Sequence, residues 1–368
     1  MNYSEEQQIP PLTRWLEEIG ADDVEDFIKE DGTRTKRLQT LKSVLNLPIN
    51  SPEDISTEDI IGETRRLKKF LKNHGNQKIA VRLIPKNKNL KKIRIRDIDL
   101  NEYINDWLPK QDIDIKEYTT EILHQNNEIS YSCIFLINEH GVWGDITEGV
   151  HWQLSDGIYE KTPITFYFDF YKWLYITEGE NRGNLSKYIK ILNKAIKKLL
   201  VKKDSKREKL KKIMGAEFNN KNYLKGYFEF LVWPNKKIVF NDYSGLIYKK
   251  LKNVKFHISN KDADLKGIAS SPGKTQGIIK IISDPINQKI GHGDILVCQS
   301  IDNINFLPLV KKASAVITEK GNILSHFSIV CRELRKPCIV EVRNATQKLK
   351  NGQFVRIDAD EGLIFTDK

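Results

Sequence analysis

Cysteine is scarce in this chain of 368 residues, which has four, at positions 133, 298, 331 and 338. None belongs to a CxxC pair, and no neighbouring set of histidines and cysteines completes a zinc site. We therefore expect free thiols, as in a protein of the reducing cytoplasm, rather than a disulfide framework or a redox centre.

Long apolar runs are also missing. The most apolar stretch, residues 164–176, is interrupted by Asp169 and Lys172, whereas a membrane span needs about 20 consecutive apolar residues. The first residues show no basic segment followed by an apolar one, which is the pattern of a secretory signal. We therefore expect a cytoplasmic protein without a membrane span. With 39% hydrophobic and 30% charged residues, the chain is also not expected to be disordered, and its length predicts two or three domains.

Positive charge is concentrated in one segment. The net charge is +11, and residues Lys187–Lys212 carry twelve basic side chains against two acidic ones, Asp204 and Glu208. Apolar residues recur there at helical spacing, which predicts a helix with lysines on its other face. That face is either a surface for polyanions or an ordinary solvated face. We do not expect nucleic acid as the partner, because no aromatic residues alternate with the lysines to stack on bases.

Changes in residue pattern divide the chain into four parts. Residues 1–75 carry apolar residues at helical spacing, over 12–19, 36–45 and 56–73 among others, and are expected to be helical. Residues 76–250 contain segments rich in β-branched and aromatic residues, and two pairs of them, within 129–147 and 226–242, are typical of hairpins. Residues 251–266 are polar and predict a linker. Residues 267–368 alternate short strands with glycine turns around one helix at about 325–334. The expected fold class is multidomain, α+β and α/β.

His326 is the strongest candidate for a catalytic residue. The pattern predicts a strand ending at Thr318, a turn, a helix cap at Ser325 and His326 at the first helical position. The free amides and the dipole at a helix start disfavour a protonated ring and favour the negative charge of a phosphoryl group on it. Thr318, Ser325, Ser328 and Arg332 are candidates for contacting the oxygens of that group. The alternative is a histidine tucked under a loop and hydrogen-bonded to the backbone.

The segment 318–337 resembles the phosphohistidine signature of the mobile, or swivelling, domain of PEP-utilising enzymes. That domain occurs in pyruvate phosphate dikinase, phosphoenolpyruvate synthase and rifampicin phosphotransferase, and its pattern is T-E-x-G-G-x-x-S-H, then R-E-L, then P. The matching residues are Thr318, Glu319, Gly321, Ser325, His326, Arg332, Glu333, Leu334 and Pro337. Further matches at 267–277, 293–297 and 345–362 extend the similarity over about a hundred residues. Two positions depart from the pattern, with Asn322 in place of the second glycine and Phe327 in place of a small residue.

The resemblance implies that His326 carries a phosphoryl group, which we expect on Nε2. It also implies a donor, because in the dikinases an ATP-grasp domain phosphorylates this histidine. Residues 76–250 are similar, more weakly, to the second half of an ATP-grasp domain. On that basis Arg82, Glu121 and Glu148 are expected to bind ATP, and Glu229 and Asp242, on the two strands of the second hairpin, to bind Mg²⁺. The alternative for these two carboxylates is pairing with lysines at strand ends.

Several features of the ATP-grasp enzymes and dikinases are missing. Tyr243-Ser244-Gly245 stands where an arginine usually follows the second metal-binding strand, and no glycine-rich phosphate loop is visible. Residues 1–75 do not resemble the first half of an ATP-grasp domain, and no segment resembles the barrel that uses phosphoenolpyruvate. We therefore do not expect the complete activity of phosphoenolpyruvate synthase.

The sequence leaves three functions open. The leading hypothesis is an enzyme, an ATP-dependent phosphotransferase of the dikinase type. In it, ATP phosphorylates His326, and the last domain swings on residues 251–266 to serve a small-molecule or protein acceptor. The second hypothesis is a non-catalytic or carrier protein whose nucleotide site has decayed. The third is a polyanion-binding module that uses Lys187–Lys212.

Overall fold

The structure, a computed structural model, describes residues 11–87, 90, 92–124, 129–150, 152–157, 159, 161–176, 185–254 and 259–366. Three β-sheets with helices packed on them form a multidomain α+β protein, as the sequence predicted. In the part of the chain that is described, no helix is long and apolar enough to cross a lipid bilayer.

The first part of the chain is helical. Its helices are α1 (Leu12–Ile19), α2 (Val24–Gly32), α3 (Arg34–Leu45), α4 (Thr57–Ile61) and α5 (Arg65–His74). The apolar spacing over 56–73 produces two helices rather than one, because Glu63 adopts a left-handed backbone conformation with φ of 43°. The hydroxyl of Thr64 then accepts a hydrogen bond from the Leu67 amide and starts α5.

A three-stranded antiparallel sheet follows, made of β1 (Lys78–Pro85), β2 (Ile93–Asp99) and β3 (Tyr118–His124). Its strand order is β2-β1-β3. The short helix α6 (Leu100–Glu102) and irregular helical turns as far as Lys110 lead from β2 towards β3. Alternate residues of β1 are buried, and they form one apolar cluster with α4 and α5.

A six-stranded antiparallel sheet occupies the middle of the chain, in the order β7-β6-β5-β4-β8-β9. Its strands are β4 (Tyr131–Ile137), β5 (Val142–Glu148), β6 (Ile164–Phe168), β7 (Trp173–Ile176), β8 (Gly226–Val232) and β9 (Ile238–Ser244). Both predicted hairpins are confirmed, as β4–β5 and β8–β9, and they lie side by side because β4 also pairs with β8. The register of β8 and β9 places Glu229 directly opposite Asp242.

Every residue of β4 is buried because both faces of this sheet are covered. On one face, Cys133 and Phe135 pack with α3, α8 (Leu185–Lys197) and α9 (Asp204–Met214). On the other face, Ile134 and Leu136 pack with α1 and with the C-terminal part of the chain. A strand that is covered on both faces reads as a continuous apolar run, as ISYSCIFLIN does.

The basic segment forms two helices, α8 and α9, rather than the single helix expected over 187–212. The backbone between them pairs elsewhere: Leu224 donates to the Leu199 carbonyl, and Val201 donates to the Asn222 carbonyl. The predicted apolar stripe of the first helix is confirmed, since Tyr188 and Leu192 are buried against the six-stranded sheet.

The C-terminal part contains an eight-stranded sheet in the order β10-β17-β16-β12-β13-β14-β15-β11. Its strands are β10 (Leu265–Lys266), β11 (Ile268–Ser271), β12 (Lys274–Ile281), β13 (Ile295–Cys298), β14 (Ala315–Thr318), β15 (Cys338–Val340), β16 (Phe354–Asp358) and β17 (Leu363–Thr366). Strands β12 to β15 run parallel, and the outer pairs are antiparallel. The helices here are α11 (Leu307–Lys312), α12 (His326–Glu333) and α13 (Ala345–Lys348).

The segment expected to be a linker, 251–266, ends in a strand, because β10 pairs with β17. It starts at the last residue of α10 (Gly245–Leu251), and residues 255–258 within it lie outside the described part. The helix α7 (Trp152–Ser155) follows β5.

The N-terminal helices fill the space between the six-stranded sheet and the C-terminal domain. Trp15 and Leu16 of α1 are fully buried, in one cluster with Leu136 of β4 and with Leu324 and Phe327 of the C-terminal domain. One apolar cluster therefore joins three regions that are distant in sequence, and it brings the start of α12 to the middle of the chain.

Candidate active site

The start of α12 is built as the sequence predicted. Ser325 is the N-cap, and its hydroxyl accepts a hydrogen bond from the Ser328 amide. The hydroxyls of Ser325 and Ser328 both donate to the Asn322 carbonyl, at 2.9 and 2.5 Å. These hydroxyls therefore hold the turn before the helix.

His326 is the first residue of α12, and its side chain lines a cleft. Burial lowers the pKa of His326 to about 3, and the charges of Arg94, Arg34 and Arg96 act in the same direction. The ring is therefore neutral at physiological pH, as a nucleophilic imidazole must be.

One nitrogen of the ring faces a carboxyl group. His326 Nδ1 is buried and lies 3.4 Å from Oδ1 of Asp156, and it forms no hydrogen bond with the described residues. Burial raises the pKa of Asp156 to about 7, against the opposing effect of Arg96. Nδ1 is therefore the ring nitrogen that faces a carboxyl group.

The cleft collects side chains from every part of the chain. Among them are Glu30, Asp31, Arg34 and Arg37 from α2 and α3, Arg94 and Arg96 from β2, Ser155 and Asp156, Tyr227, Glu229, Asp242 and Ser244 from the region of β8 and β9, and His326. The two predicted metal ligands and the predicted phosphoryl carrier therefore share one site.

Glu229 and Asp242 face each other across the β8–β9 pair. Glu229 accepts a hydrogen bond from the Tyr227 hydroxyl at 2.8 Å, and burial, followed by the charge of Asp242, raises its pKa. Asp242 Oδ2 lies 3.0 Å from Arg34 Nη2, and Oδ1 lies 3.6 Å from Arg37 Nη2. The partners of Asp242 are thus arginines of α3 and not lysines at strand ends.

This pair of carboxylates fits magnesium by type of ligand. Mg²⁺ prefers oxygen and is commonly held by one or two carboxylates together with substrate phosphates and water. The described residues contain no group of three or more histidines, cysteines or carboxylates that could hold a metal ion unaided. Glu229 and Asp242 would hold the ion, and phosphates and water would have to complete its coordination.

Four arginines of the cleft were not identified from the sequence. Arg34 and Arg37 lie one turn apart on α3, and Arg94 and Arg96 lie two residues apart on β2. The spacing of the second pair was a usable signal, because residues i and i+2 of a strand lie on the same face. The first pair carried no such signal, since nothing within residues 1–75 shows that α3 packs on β9.

An ionic network connects the two groups of arginines. Asp31 lies 3.0 Å from Arg34 Nη2, 2.8 Å from Lys92 Nζ and 2.7 Å from Arg94 Nη2. Burial, together with the neighbouring arginines, lowers the pKa of Lys92 to about 7. Because Arg34 also pairs with Asp242, this network connects both groups of arginines to the carboxylate pair.

Helix α3 also supplies an arginine next to β9, where the expected arginine is missing from the sequence. Arg37 Nε donates to the Tyr243 carbonyl at 2.9 Å, directly after the second strand of the carboxylate hairpin. The position at which an arginine was expected and Tyr243-Ser244-Gly245 was found is therefore covered by an arginine from another part of the chain.

The other predicted site residues lie outside this cleft. Arg82 and Glu121 are paired in the register of β1 and β3, with Arg82 Nη1 3.5 Å from Glu121 Oε2. Glu148 pairs with Lys161 at 2.9 Å in a more exposed position. None of the three lines the cleft. Burial, together with the charges of Arg34 and Arg94, lowers the pKa of Arg82 to about 10. Arg82 therefore interacts electrostatically with two arginines of the cleft.

Thr318 and Arg332 also do not reach the ring. Thr318 ends β14 beneath the turn, and its hydroxyl is buried without a hydrogen bond to the described residues. Arg332 follows His326 by six residues, which places it about 240° around the helix axis, and it donates to the Ile323 carbonyl at 2.9 Å. Arg332 thus holds the backbone of the turn in this structure, and its contact with a phosphoryl group on His326 stays a prediction.

Comparisons with known proteins agree with the C-terminal part of this picture. Residues 290–362 match the family model of the PEP-utilising enzyme, mobile domain. The phosphoenolpyruvate synthase of Pyrococcus furiosus is 38% identical over 109 residues, which are 29% of this chain and 13% of that protein. A probable phosphoenolpyruvate synthase of Methanothermobacter thermautotrophicus is 40% identical over 110 residues, covering 29% and 16%.

The chain thus spans only a small part of the length of these relatives. Among solved structures, the ATP-grasp ligase PsnB with its minimal precursor covers 59% of this chain and 53% of its own, with 8% identity and a TM-score of 0.29. Residues 290–362, which include β13 to β16 and α12, are thus similar to the PEP-utilising mobile domain, as the phosphohistidine signature indicated.

Proposed function

We propose that this protein is a phosphotransferase of the dikinase type, in which ATP phosphorylates His326 and phospho-His326 serves an acceptor. The observation that supports this most directly is one shared cleft. His326, the carboxylate pair Glu229 and Asp242, and four arginines line it together. A nucleophile, a site suited to magnesium and groups that bind phosphate are the three components that phosphoryl transfer needs.

ATP binds, in this proposal, between the three-stranded and the six-stranded sheets. Its phosphates contact Arg34, Arg94 and Arg96, which lie close enough to His326 to lower its pKa. Bound magnesium would neutralise part of the phosphate charge. Phosphate oxygens then take over from Asp31 and Asp242 as partners of the arginines, which forms charge-assisted hydrogen bonds.

The transfer uses the lone pair on Nε2. Nε2 attacks a phosphorus atom of ATP, the bond from that phosphorus to its bridging oxygen breaks, and the leaving phosphate group keeps the electron pair. The ring becomes positively charged as the N–P bond forms, while its proton stays on Nδ1. Asp156, 3.4 Å from Nδ1, stabilises that charge when ionised. Helix amides and arginines stabilise the oxygens of the transferred group.

Phospho-His326 then meets an acceptor, which we propose to be a small molecule or a protein of the cytoplasm. The C-terminal domain would leave the cleft by movement about residues 251–266. Return of the free histidine to the cleft completes the cycle.

Labelled ATP tests the proposal. The full chain is incubated with Mg²⁺ and either γ- or β-labelled ATP, and the intact protein is examined for label that is acid-labile and base-stable. We expect such label on the wild type and on the control His292→Ala, whose side chain is exposed and outside the cleft. We expect none on His326→Ala. An unlabelled wild type would overturn the proposal, and the labelled position identifies the bond that breaks.

One observation favours a second candidate, a carrier with a decayed nucleotide site. Arg34 and Arg37 already neutralise Asp242 in this structure. If they do so permanently, Mg-ATP will not raise the melting temperature of the folded protein. The dikinase proposal predicts an increase that is lost in Glu229→Gln.

A further inference from the structure

The two residues that depart from the phosphohistidine signature both contact another part of the chain. Asn322 Nδ2 donates to the Leu154 carbonyl at 2.8 Å, and this hydrogen bond is buried. The ring of Phe327 meets that of Trp15 edge-on, with the centroids 6.4 Å apart and an interplanar angle of 61°. A glycine at 322 has no side chain with which to form the first contact, and a small residue at 327 could not make the second.

Residues around Asn322 pack closely against the turn that precedes α12. The Gly321 amide donates to the Tyr159 hydroxyl at 3.2 Å. A Cβ added to Gly157 would lie 3.2 Å from the Cα of Gly321, and the φ of Gly157 is +72°. The backbone at Leu154 and Gly157 therefore packs closely against the turn and leaves little room for a side chain at position 157.

The contacts of Phe327 form a second point of attachment, on α1. Phe327 and Trp15 are both buried, with exposed fractions of 5% and 1%. A third contact lies at the other end of α12, where Lys250 Nζ is 2.7 Å from both Glu333 Oε2 and Asp23 Oδ2. The first two points flank His326 closely in sequence and fix the direction in which its ring faces.

We infer that Asn322 and Phe327 are positioning residues that lock the C-terminal domain in the docked arrangement, with His326 held in the cleft. The docked state is the one that accepts a phosphoryl group, which rests on the proposed function. Passing the group on then requires both contacts to break. Each contact contributes to the docked state and is absent from the undocked one, so its loss shifts the equilibrium towards undocking.

The variant Asn322→Asp isolates the contact between domains. The side-chain oxygen of Asn322 also accepts a hydrogen bond from the Leu324 amide at 2.9 Å, which holds the turn itself. Aspartate keeps that acceptor, but it loses the donor to Leu154 and places a negative charge against the Leu154 carbonyl. Asn351→Asp is the matched control, because the Asn351 side chain accepts from the Ile281 amide within the C-terminal domain.

Distances between two spin labels report docking without any need for activity. Labels are placed on Lys237→Cys in the six-stranded sheet region and Lys348→Cys in the C-terminal domain, both exposed positions. The four native cysteines are buried. We expect one narrow distance distribution for the wild type and the Asn351→Asp control. In Asn322→Asp we expect a second, broader distance population from undocked protein. The ratio of undocked to docked protein should be about fivefold higher than in the wild type, since the loss of one net hydrogen bond shifts an equilibrium constant by about that factor. Phe327→Ala should raise the same population.

A kinetic measurement separates positioning from simple destabilisation. In Asn322→Asp the labelling rate of His326 should fall in proportion to the docked fraction that the spin labels report. The dissociation constant for Mg-ATP should stay unchanged, because residue 322 does not line the cleft. If wild-type distances are already broad, or if both variants leave them unchanged, the inference is wrong. If the distances shift but ATP never labels the protein, the docking inference holds and the proposed function fails.

Discussion

Asp156 and His326 are separated by 170 residues in sequence, yet Asp156 Oδ1 lies 3.4 Å from His326 Nδ1. The carboxyl group belongs to the segment after α7, and the imidazole belongs to the mobile domain. The proposed phosphoryl carrier and the carboxyl group that faces it are therefore supplied by different parts of the fold, and the pair exists only when the two parts are docked.

Asp156→Asn tests the role of that carboxyl group. We expect the rate of His326 labelling by ATP to fall on the order of tenfold, because an amide cannot balance the charge that develops on the ring. The exposed pair of Asp106 with Lys110 provides the control, Asp106→Asn. An unchanged rate in Asp156→Asn would show that the 3.4 Å approach does not contribute to the transfer.

The titration of His326 provides a second prediction. Because burial and the charges of Arg94, Arg34 and Arg96, partly offset by Asp31, lower its pKa to about 3, its ring resonances should not shift between pH 5 and 8. Asp156, the carboxyl group facing Nδ1, changes charge in that range and would itself shift the ring resonances. The signals of His326 are therefore assigned by their loss in His326→Gln, and the pH titration is recorded in Asp156→Asn. A titration midpoint near 6.5 would contradict this prediction. Since the folded-state pKa is depressed, this histidine makes stability decrease as pH falls from about 6.5 towards 3.

Asp145 of β5 should make the stability of the fold depend on pH in the opposite direction. Burial raises the pKa of Asp145 to about 7, with an opposing hydrogen bond from Thr165. An acid whose folded-state pKa is raised binds more protons when folded, so its contribution to stability decreases as pH rises from about 4 to 7. Asp145→Asn should therefore stabilise the protein at pH 8, by on the order of 2 kcal/mol in urea unfolding.

The control for this change is Glu148→Gln, in the surface pair with Lys161, where we expect an effect below about 1 kcal/mol. A variant Asp145→Asn that is as stable as the wild type at pH 8 but less stable at pH 4 would also agree with the direction. Equal loss of stability at both pH values would mean that Asp145 does not titrate as expected.

Arg34 should contribute to nucleotide binding. Arg34→Gln removes the charge that lies 3.0 Å from both Asp31 and Asp242. Since a hydrogen bond to a charged group contributes about 1.5–3 kcal/mol, we expect the dissociation constant for Mg-ATP to rise at least tenfold. Titration calorimetry measures it, with Arg14→Gln as the control, because Arg14 pairs within its own helix, with Glu17 and Glu18. Tighter binding in Arg34→Gln would show that Arg34 competes with the metal instead of binding phosphate.

Local patterns in the sequence were enough to identify much of the fold. The hairpins β4–β5 and β8–β9, the strands of the mobile domain and the cap at Ser325 each depend on residues that are neighbours in sequence. Hydrogen bonding and side-chain spacing over a few residues decide such elements. Glu229 and Asp242 could be paired for the same reason, since they belong to one hairpin.

The helix boundaries that were wrong depended on distant partners. The break between α8 and α9 arises because residues 199–201 bond to residues 222–224 rather than continuing a helix. Tertiary pairing of the backbone overrides helical spacing in such a case. The spacing of apolar residues in the sequence does not show that a distant segment will pair with this part of the backbone.

The sequence by itself determined the helix cap at Ser325, the place of His326 at the start of that helix and the hairpin that carries Glu229 and Asp242, because each is a short-range arrangement of residues. Only the tertiary structure decided that α3 brings Arg34 and Arg37 to Asp242, that β2 adds Arg94 and Arg96, and that Asp156 faces His326. The physical reason is that these charges converge through the packing of apolar surfaces on α1, α3 and the six-stranded sheet, which joins residues far apart in the chain.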